Sequence, residues 1–419
     1  MQELVIKGGV KLKGTVTISG SKNAALPIVC AALLSKDKTV LKNVPDIADI
    51  HSIIKIIESL GVKTKFNKNT LEIDPSKLTK SSPDQKLVEK MRASILLIGG
   101  ILPRLGEIKM AFPGGCVLGK RSVYAHTHVF KEFGAKILND KTGLHIKADK
   151  LVGKKFTLPE QSVTATENAI MCGVLAEGKT EIRLSAVEPH VQDLCHFLKK
   201  MGAKISGIGT NNIQITGVES LKGTTYTITG DYLEAGTFAI AAVATGGDVI
   251  INGINTDHLD ILWQKFNEMG VSYKLSKDSV HILLSKSLKG TDVKTAVYPG
   301  FPTDLQAPFT VLLTQVNGTS KIFETLFEGR LNYLFELEVM GAQIHLLNPH
   351  QALVQGPSKL KGMSIPSHDI RAGAAMVIAA LVAKDYTTIS NINYIDRGYE
   401  NLDGKLTKLG AEIKRLKAK

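Results

Sequence analysis

The sequence predicts an α/β protein of two domains, assembled from six units of about 70 residues. Three observations predict it. A helix end followed by glycine and a small residue recurs six times. A short alternating strand that closes on Leu-Lys-Gly or a relative follows five of those junctions. The missing sixth copy of that strand stands at the opposite end of the chain.

The junctions are Leu60-Gly61-Val62, Phe133-Gly134-Ala135, Met201-Gly202-Ala203, Met269-Gly270-Val271, Met340-Gly341-Ala342 and Leu409-Gly410-Ala411, with successive glycines 68 to 73 residues apart. Glycine ends helices because the left-handed conformation required there crowds any Cβ. The strands that follow are Leu71-Glu72-Ile73 to Leu78-Thr79-Lys80, Leu144-His145-Ile146 to Leu151-Val152-Gly153, Ile213 to Gly223, Val280 to Gly290 and Ala352 to Gly362. After Gly410 only a few basic residues remain, and Leu4-Val5-Ile6 followed by Leu12-Lys13-Gly14 supplies the absent piece. Domains are therefore expected at 22–229 and at 1–21 with 230–419, three units in each.

Each unit holds two helices. The first starts near Ser21, Glu89, Ser162, Gly230, Pro302 and Ser367 and is rich in alanine and apolar all round, the pattern of a helix buried among neighbours. The second is amphipathic and ends at the glycine, as in Asp49–Leu60.

Composition narrows the function. With 43% hydrophobic and 22% charged residues the chain reads as folded and not disordered. The longest apolar stretches, near 238–245 and 372–383, are too short to span a bilayer, so no membrane role is expected. The opening Met-Gln-Glu-Leu-Val-Ile-Lys has no signal-peptide pattern. Cys30, Cys116, Cys172 and Cys195 show no paired spacing, which points to a reducing cytoplasm with neither disulfides nor a zinc site. The formal charge of +13 invites nucleic acid, but the lysines are scattered and aromatics make up only 5%. A small polyanionic substrate fits better than nucleic acid.

The unusual polar residues gather where helices start. At the first helices lie Lys22 with Asn23, Arg92, Thr166 with Glu167, Asp231 with Glu234, Asp304, and Asp369 with Arg371. At the second helices lie Asp46 and Asp49, Cys116 with Arg121 and His126, Glu188, Asp257, Glu328 with Arg330, and Asp396 with Arg397. Capping accounts for residues such as Asp231 and Asp257. It does not account for Lys22, Arg92, Arg121, Arg371 and Arg397, because a cation opposes the dipole there and wants an anionic ligand or a carboxylate.

Cys116 lies in Pro113-Gly114-Gly115-Cys116-Val117-Leu118-Gly119-Lys120-Arg121, a glycine-rich loop whose adjacent cations favour a thiolate. Cys30, Cys172 and Cys195 fit apolar helix faces and read as inert core. His126 and His128 lack a third ligand at metal spacing and read as a loop or anion contact. In Tyr298-Pro299-Gly300-Phe301-Pro302-Thr303-Asp304, two prolines set a carboxylate at a helix start. A general base and a simple N-cap both fit it.

These motifs, in this order, resemble the enolpyruvyl transferases, and among them those acting on UDP-N-acetylglucosamine. The resemblance covers essentially the whole chain and rests on Ser21-Lys22-Asn23-Ala24-Ala25, Met91-Arg92-Ala93-Ser94, Pro113-Gly114-Gly115-Cys116, Thr166-Glu167-Asn168, Phe301-Pro302-Thr303-Asp304, Arg371-Ala372-Gly373-Ala374 and Ile395-Asp396-Arg397-Gly398-Tyr399-Glu400. It implies a two-domain inside-out α/β barrel, three pseudo-repeats per domain, an active site between the domains and no cofactor. The implied substrates are phosphoenolpyruvate and UDP-N-acetylglucosamine.

By the same resemblance, Cys116 is the general acid toward the methylene carbon and forms a covalent adduct, and Asp304 takes the proton of the attacking sugar hydroxyl. Lys22, Arg121 and Arg397 hold phosphoenolpyruvate, with Arg92 and Arg371 nearby. Asn23, Ser162, Val163 and Leu326 match positions that meet the nucleotide sugar, with Arg330 and Asp369 in the same set. Some positions depart from the pattern. Glu160 replaces a usual lysine and Thr164 a usual glycine, and Ser122-Val123-Tyr124-Ala125 stands where relatives read Pro-Val-Asp-Leu.

Only Cys116 combines a flexible loop with neighbouring cations. An epoxide phosphonate of the size and charge of phosphoenolpyruvate, such as fosfomycin, is expected to alkylate Cys116 alone, faster with the nucleotide sugar bound, and to abolish activity. Peptide mass mapping checks it; label on Cys30, Cys172 or Cys195 would contradict it.

Overall fold

The computed structural model describes residues 2–114, 122–138 and 143–417. They fall into two compact units, one of residues 2–19 and 230–417 and the other of residues 20–114, 122–138 and 143–229. Each has its own apolar core. Gly20 and Ser21 go with the second unit, two residues earlier than the expected boundary. Ser21 belongs there because its hydroxyl caps the helix Lys22–Ala31 by accepting from the Ala24 amide.

In the unit of residues 20–229 one sheet holds Thr39–Lys42, Lys63–Asn67, Thr70–Asp74 and Thr225–Thr227, and another holds Lys155–Thr157, Lys179–Arg183, Lys204–Ser206 and Asn212–Thr216. A third has the strands Glu107–Ala111, Lys136–Ile137 and Gly143–Lys147. In the four-stranded sheets one edge pair is parallel and the other pairings are antiparallel.

The other unit repeats this order in three sheets. Its N-terminal strand Gln2–Lys7 lies between Tyr386–Ser390 and Glu412–Lys417, antiparallel to both. Lys13–Thr17 runs parallel to Asp248–Asn252, and Val293–Lys294 parallel to Gly318–Phe323. All six junction glycines are left-handed, with φ between 83° and 108°.

The core helices are Lys22–Ala31, Leu97–Leu105 and Val163–Gly173 in one unit, and Tyr232–Ala244, Thr303–Leu313 and Ile370–Val382 in the other. They are buried along nearly their whole length. Small residues permit this by letting neighbours approach: a Cβ on Gly236 would lie 2.6 Å from Leu305 Cδ1. The helix expected from Glu89 is broken instead, into Gln85–Val88, the 3₁₀ turn Arg92–Leu96 and Leu97–Leu105. Extended backbone at Met91 interrupts it, and the Ser94 hydroxyl donates to Met91 O at 2.7 Å. Among the described residues no helix is long and apolar enough to cross a membrane.

Leu4, 1% exposed, is held in the central strand of its sheet. Leu4→Ala is expected to cost about 2–5 kcal/mol in denaturant unfolding. Hydrogen exchange should locate the loss in residues 230–417 and leave protection in 20–229 unchanged.

Candidate active site

In the unit of residues 2–19 and 230–417, the Asp304 carboxylate sits on the first turn of Thr303–Leu313 but does not cap it. The N-cap is Pro302, without a side-chain bond. The Asp304 carboxylate binds two guanidiniums, Arg330 Nη2 at Oδ1 (2.5 Å) and Arg371 Nε at Oδ2 (3.1 Å). Both arginines are buried, whereas 26% of the Asp304 side chain is exposed. Burial alone would raise this carboxyl, but Arg371 and then Arg330 outweigh it and hold it well below the usual carboxylate range.

Arg330 also donates from Nε to Thr303 Oγ1 at 3.1 Å and lies 3.9 Å from Asp369. Asp369 caps Ile370–Val382, accepting from the Arg371 and Ala372 amides. The Arg371 guanidinium lies 5.2 Å from the Tyr399 ring centroid, and Tyr399 is tied to Thr237 at 3.0 Å. Burial opposes the Arg371 charge, while Tyr399, Asp304 and Asp231 sustain it.

Sequence reasoning missed the supports of this cluster. Buried Glu324 accepts from Thr303 Oγ1 at 2.8 Å and from the Leu326 amide at 2.9 Å, so it ties the Asp304 turn to the exposed Leu326. Arg415 grips both oxygens of Asp396, at 2.8 and 3.0 Å, beside Arg397, which ends the turn Ile392–Arg397. Glu324 is 21 residues from Thr303 and Arg415 is 19 from Asp396, so no local pattern announces these two contacts. The second helix expected at Glu328 and Arg330 starts only at Leu334, which leaves Arg330 in a turn and free to reach Asp304. Asp231 does cap its helix, whereas at Asp257 the cap is Asn255.

In the other unit Lys22, first residue of its helix, pairs with Asp49 at 2.7 Å, both buried. This is the carboxylate partner that a cation at a helix start demands. Asn23 follows it and is half-buried. Arg92 Nη2 donates to Ser122 O at 2.9 Å, and half-buried Val123 follows Ser122. Ser162 caps Val163–Gly173. Cys116 and Arg121 lie outside the described residues.

His126, expected as a loop or anion contact, lies in the helix Tyr124–Glu132. It is buried, and desolvation followed by the Arg92 charge pushes it down to about 3, so it is neutral. His128 turns to Thr157 O instead. Burial raises the thiols of Cys30, Cys172 and Cys195, the last to about 12, so they are inert. Glu167 lies wholly inside, and burial followed by Glu188 raises its carboxyl far above the ordinary value.

Each unit thus pairs a carboxylate with cations close to a helix start, Asp304 with Arg330 and Arg371 in one and Asp49 with Lys22 in the other. The profile described as EPSP synthase (3-phosphoshikimate 1-carboxyvinyltransferase) matches residues 6–406, and the chain belongs to that family. Among its relatives is a UDP-N-acetylglucosamine 1-carboxyvinyltransferase of Halothermothrix orenii, 43% identical with all of both chains covered. One of the same name from Borrelia garinii is 41% identical over the same extent. Of solved structures, the enolpyruvyl transferase NikO from Streptomyces tendae superposes with a TM-score of 0.91 at 25% identity, covering 100% of this chain and 99% of that one.

Glu167 offers a test of the burial argument. Its folded pKa lies above the ordinary value of 4.5. As pH rises past that value the unfolded chain gives up a proton that the folded chain keeps, so stability falls by roughly 1.4 kcal/mol per pH unit until the folded pKa is reached. Glu167→Gln is expected to flatten that fall in urea unfolding measured from pH 5 to 8.

Proposed function

We propose that this chain transfers the enolpyruvyl group of phosphoenolpyruvate to the 3-hydroxyl of UDP-N-acetylglucosamine and releases phosphate, the first committed step of peptidoglycan synthesis. The observation that carries the reading is end-to-end likeness to relatives of that name. The carboxylate held between Arg330 and Arg371 supplies matching chemistry. Three sheets in each unit with a recurring strand order support six pseudo-repeats in two inside-out barrels. The enzyme works in the cytoplasm without a cofactor, and residues of both units serve one reaction.

Lys22, Arg121 and Arg397 hold the phosphate and carboxylate of phosphoenolpyruvate, with Arg92 and Arg371 adding positive charge. Asn23, Ser162, Val163 and Leu326 meet the nucleotide sugar, with Ser122 and Val123 toward its base. The sugar hydroxyl oxygen bonds to C2 of phosphoenolpyruvate as Asp304 takes its proton, and Cys116 protonates the methylene carbon. Loss of a methyl proton and cleavage of the C–O bond then expel phosphate and restore the double bond. Fixed cations stabilise the charge that builds on the departing phosphate.

A carboxylate shared by two guanidiniums is a weak base. In the proposed cycle the anionic substrates draw a guanidinium away and restore the basicity of Asp304 when the hydroxyl arrives. Phosphate release is expected with UDP-N-acetylglucosamine and not with shikimate 3-phosphate; the reverse preference would overturn the assignment. Asp304→Asn should lower kcat about a hundredfold or more. Asp304→Ala should also lose stability, by about 3–5 kcal/mol, because it strands two buried guanidiniums.

A further inference from the structure

The two guanidiniums on Asp304 are not held alike. Arg330 is engaged through all three of its nitrogens. Its Nε donates to Thr303 Oγ1 at 3.1 Å and its Nη2 to Asp304 Oδ1, while Nη1 lies 3.9 Å from Asp369. The Phe327 ring centroid sits 5.5 Å from the same group. Fixing Nε and one Nη fixes the plane of a rigid guanidinium. Arg371 reaches Asp304 through Nε, and among the described residues its buried Nη1 has no hydrogen-bond partner.

The anchor of Arg330 is itself anchored. A guanidinium N–H only donates, so Thr303 Oγ1 accepts from Arg330 and gives its one proton to Glu324 Oε2 at 2.8 Å. Glu324 is 0% exposed, and its other oxygen accepts from the Leu326 and Phe327 amides at 2.9 and 3.3 Å. The turn that leads to Arg330 is thus folded onto the same carboxylate that orients Thr303. All of these residues belong to one unit, that of residues 2–19 and 230–417.

We propose that Thr303 and Glu324 are positioning residues of the transfer, which act through Arg330 to keep the Asp304 carboxylate aimed while Arg371 is the guanidinium that leaves it. This rests on the reading of Asp304 as the base. A base that loses one partner during the cycle needs its other partner fixed, because a misplacement of about 1 Å in a reacting group can cost about a hundredfold in rate. Thr303 supplies that fixity without charge of its own, by spending its proton on Glu324 and its lone pair on Arg330.

The test is steady-state phosphate release by the full chain with phosphoenolpyruvate and UDP-N-acetylglucosamine. Thr303→Val keeps the shape and removes the hydroxyl, and should lower kcat about tenfold or more, the effect of losing a hydrogen bond to a charged group. KM for either substrate should change less than about twofold, and Thr303→Ser should restore kcat. Glu324→Gln should also lower kcat, and the double variant should lose little more than either single one, as members of one network do. In an Asp304→Asn background Thr303→Val should have almost no further effect, because the carboxylate through which it acts is gone. If valine prevents folding, Glu324→Gln in the two backgrounds makes the same comparison. Wild-type kcat in Thr303→Val, a loss confined to KM, or an equal loss in the Asp304→Asn background would overturn the inference. Failure of the parent reading looks different: Asp304→Asn would itself turn over as the wild type does, and both readings would fall.

Discussion

The arrangement depends above all on the balance of charge that has been taken out of water. Arg330 and Arg371 are almost wholly enclosed. A guanidinium left alone in such a place costs several kcal/mol, and a carboxylate with well-aimed bonds offsets most of it. Asp304 answers both, one oxygen to each. Its position is in turn held by Thr303, by Glu324 beneath it and by the start of the helix that carries it. The partly exposed face of Asp304 is the product of that balance: enough contact to stay ionised, with the open side left for the hydroxyl in the proposed cycle.

The two units solve the same problem differently. Where one supplies paired arginines and a carboxylate, the other pairs Lys22 with Asp49. Buried acids differ in the same way. Glu234 is raised only to about 7, because Lys405 at 2.6 Å offsets much of the desolvation. Glu167 faces Glu188 instead of a cation, so it holds its proton. A neutral histidine bonded to an asparagine makes the interior near His126 one of directed neutral donors. The interior around Asp304 is one of opposed charges. Neutral donors orient a ligand, and opposed charges are displaced by an anionic one.

The sequence by itself determined what depends on neighbours within a few residues. The glycine after each helix had to be left-handed because backbone sterics are local. The alanine-rich segments had to be buried because no polar face was available to meet water. Lys22 and Arg371 had to find anions because helix starts repel cations. These constraints made the α/β class, the helix starts and most candidate residues legible.

Only the tertiary structure decided who meets whom. Asp304 reaches Arg371 across 67 residues, His126 reaches Asn168 across 42, and Arg415 grips Asp396 from a strand beyond the next helix. Sequence left Asp304 open between a cap and a base, and read His126 as a loop or anion contact. The pairing with two guanidiniums settled its form as an ionised, uncapping carboxylate, and enclosure made His126 neutral. The physical reason is the same in both cases. The state of a titratable group is set by desolvation and by charges a few ångströms away, and folding brings those charges from parts of the chain that no local pattern connects.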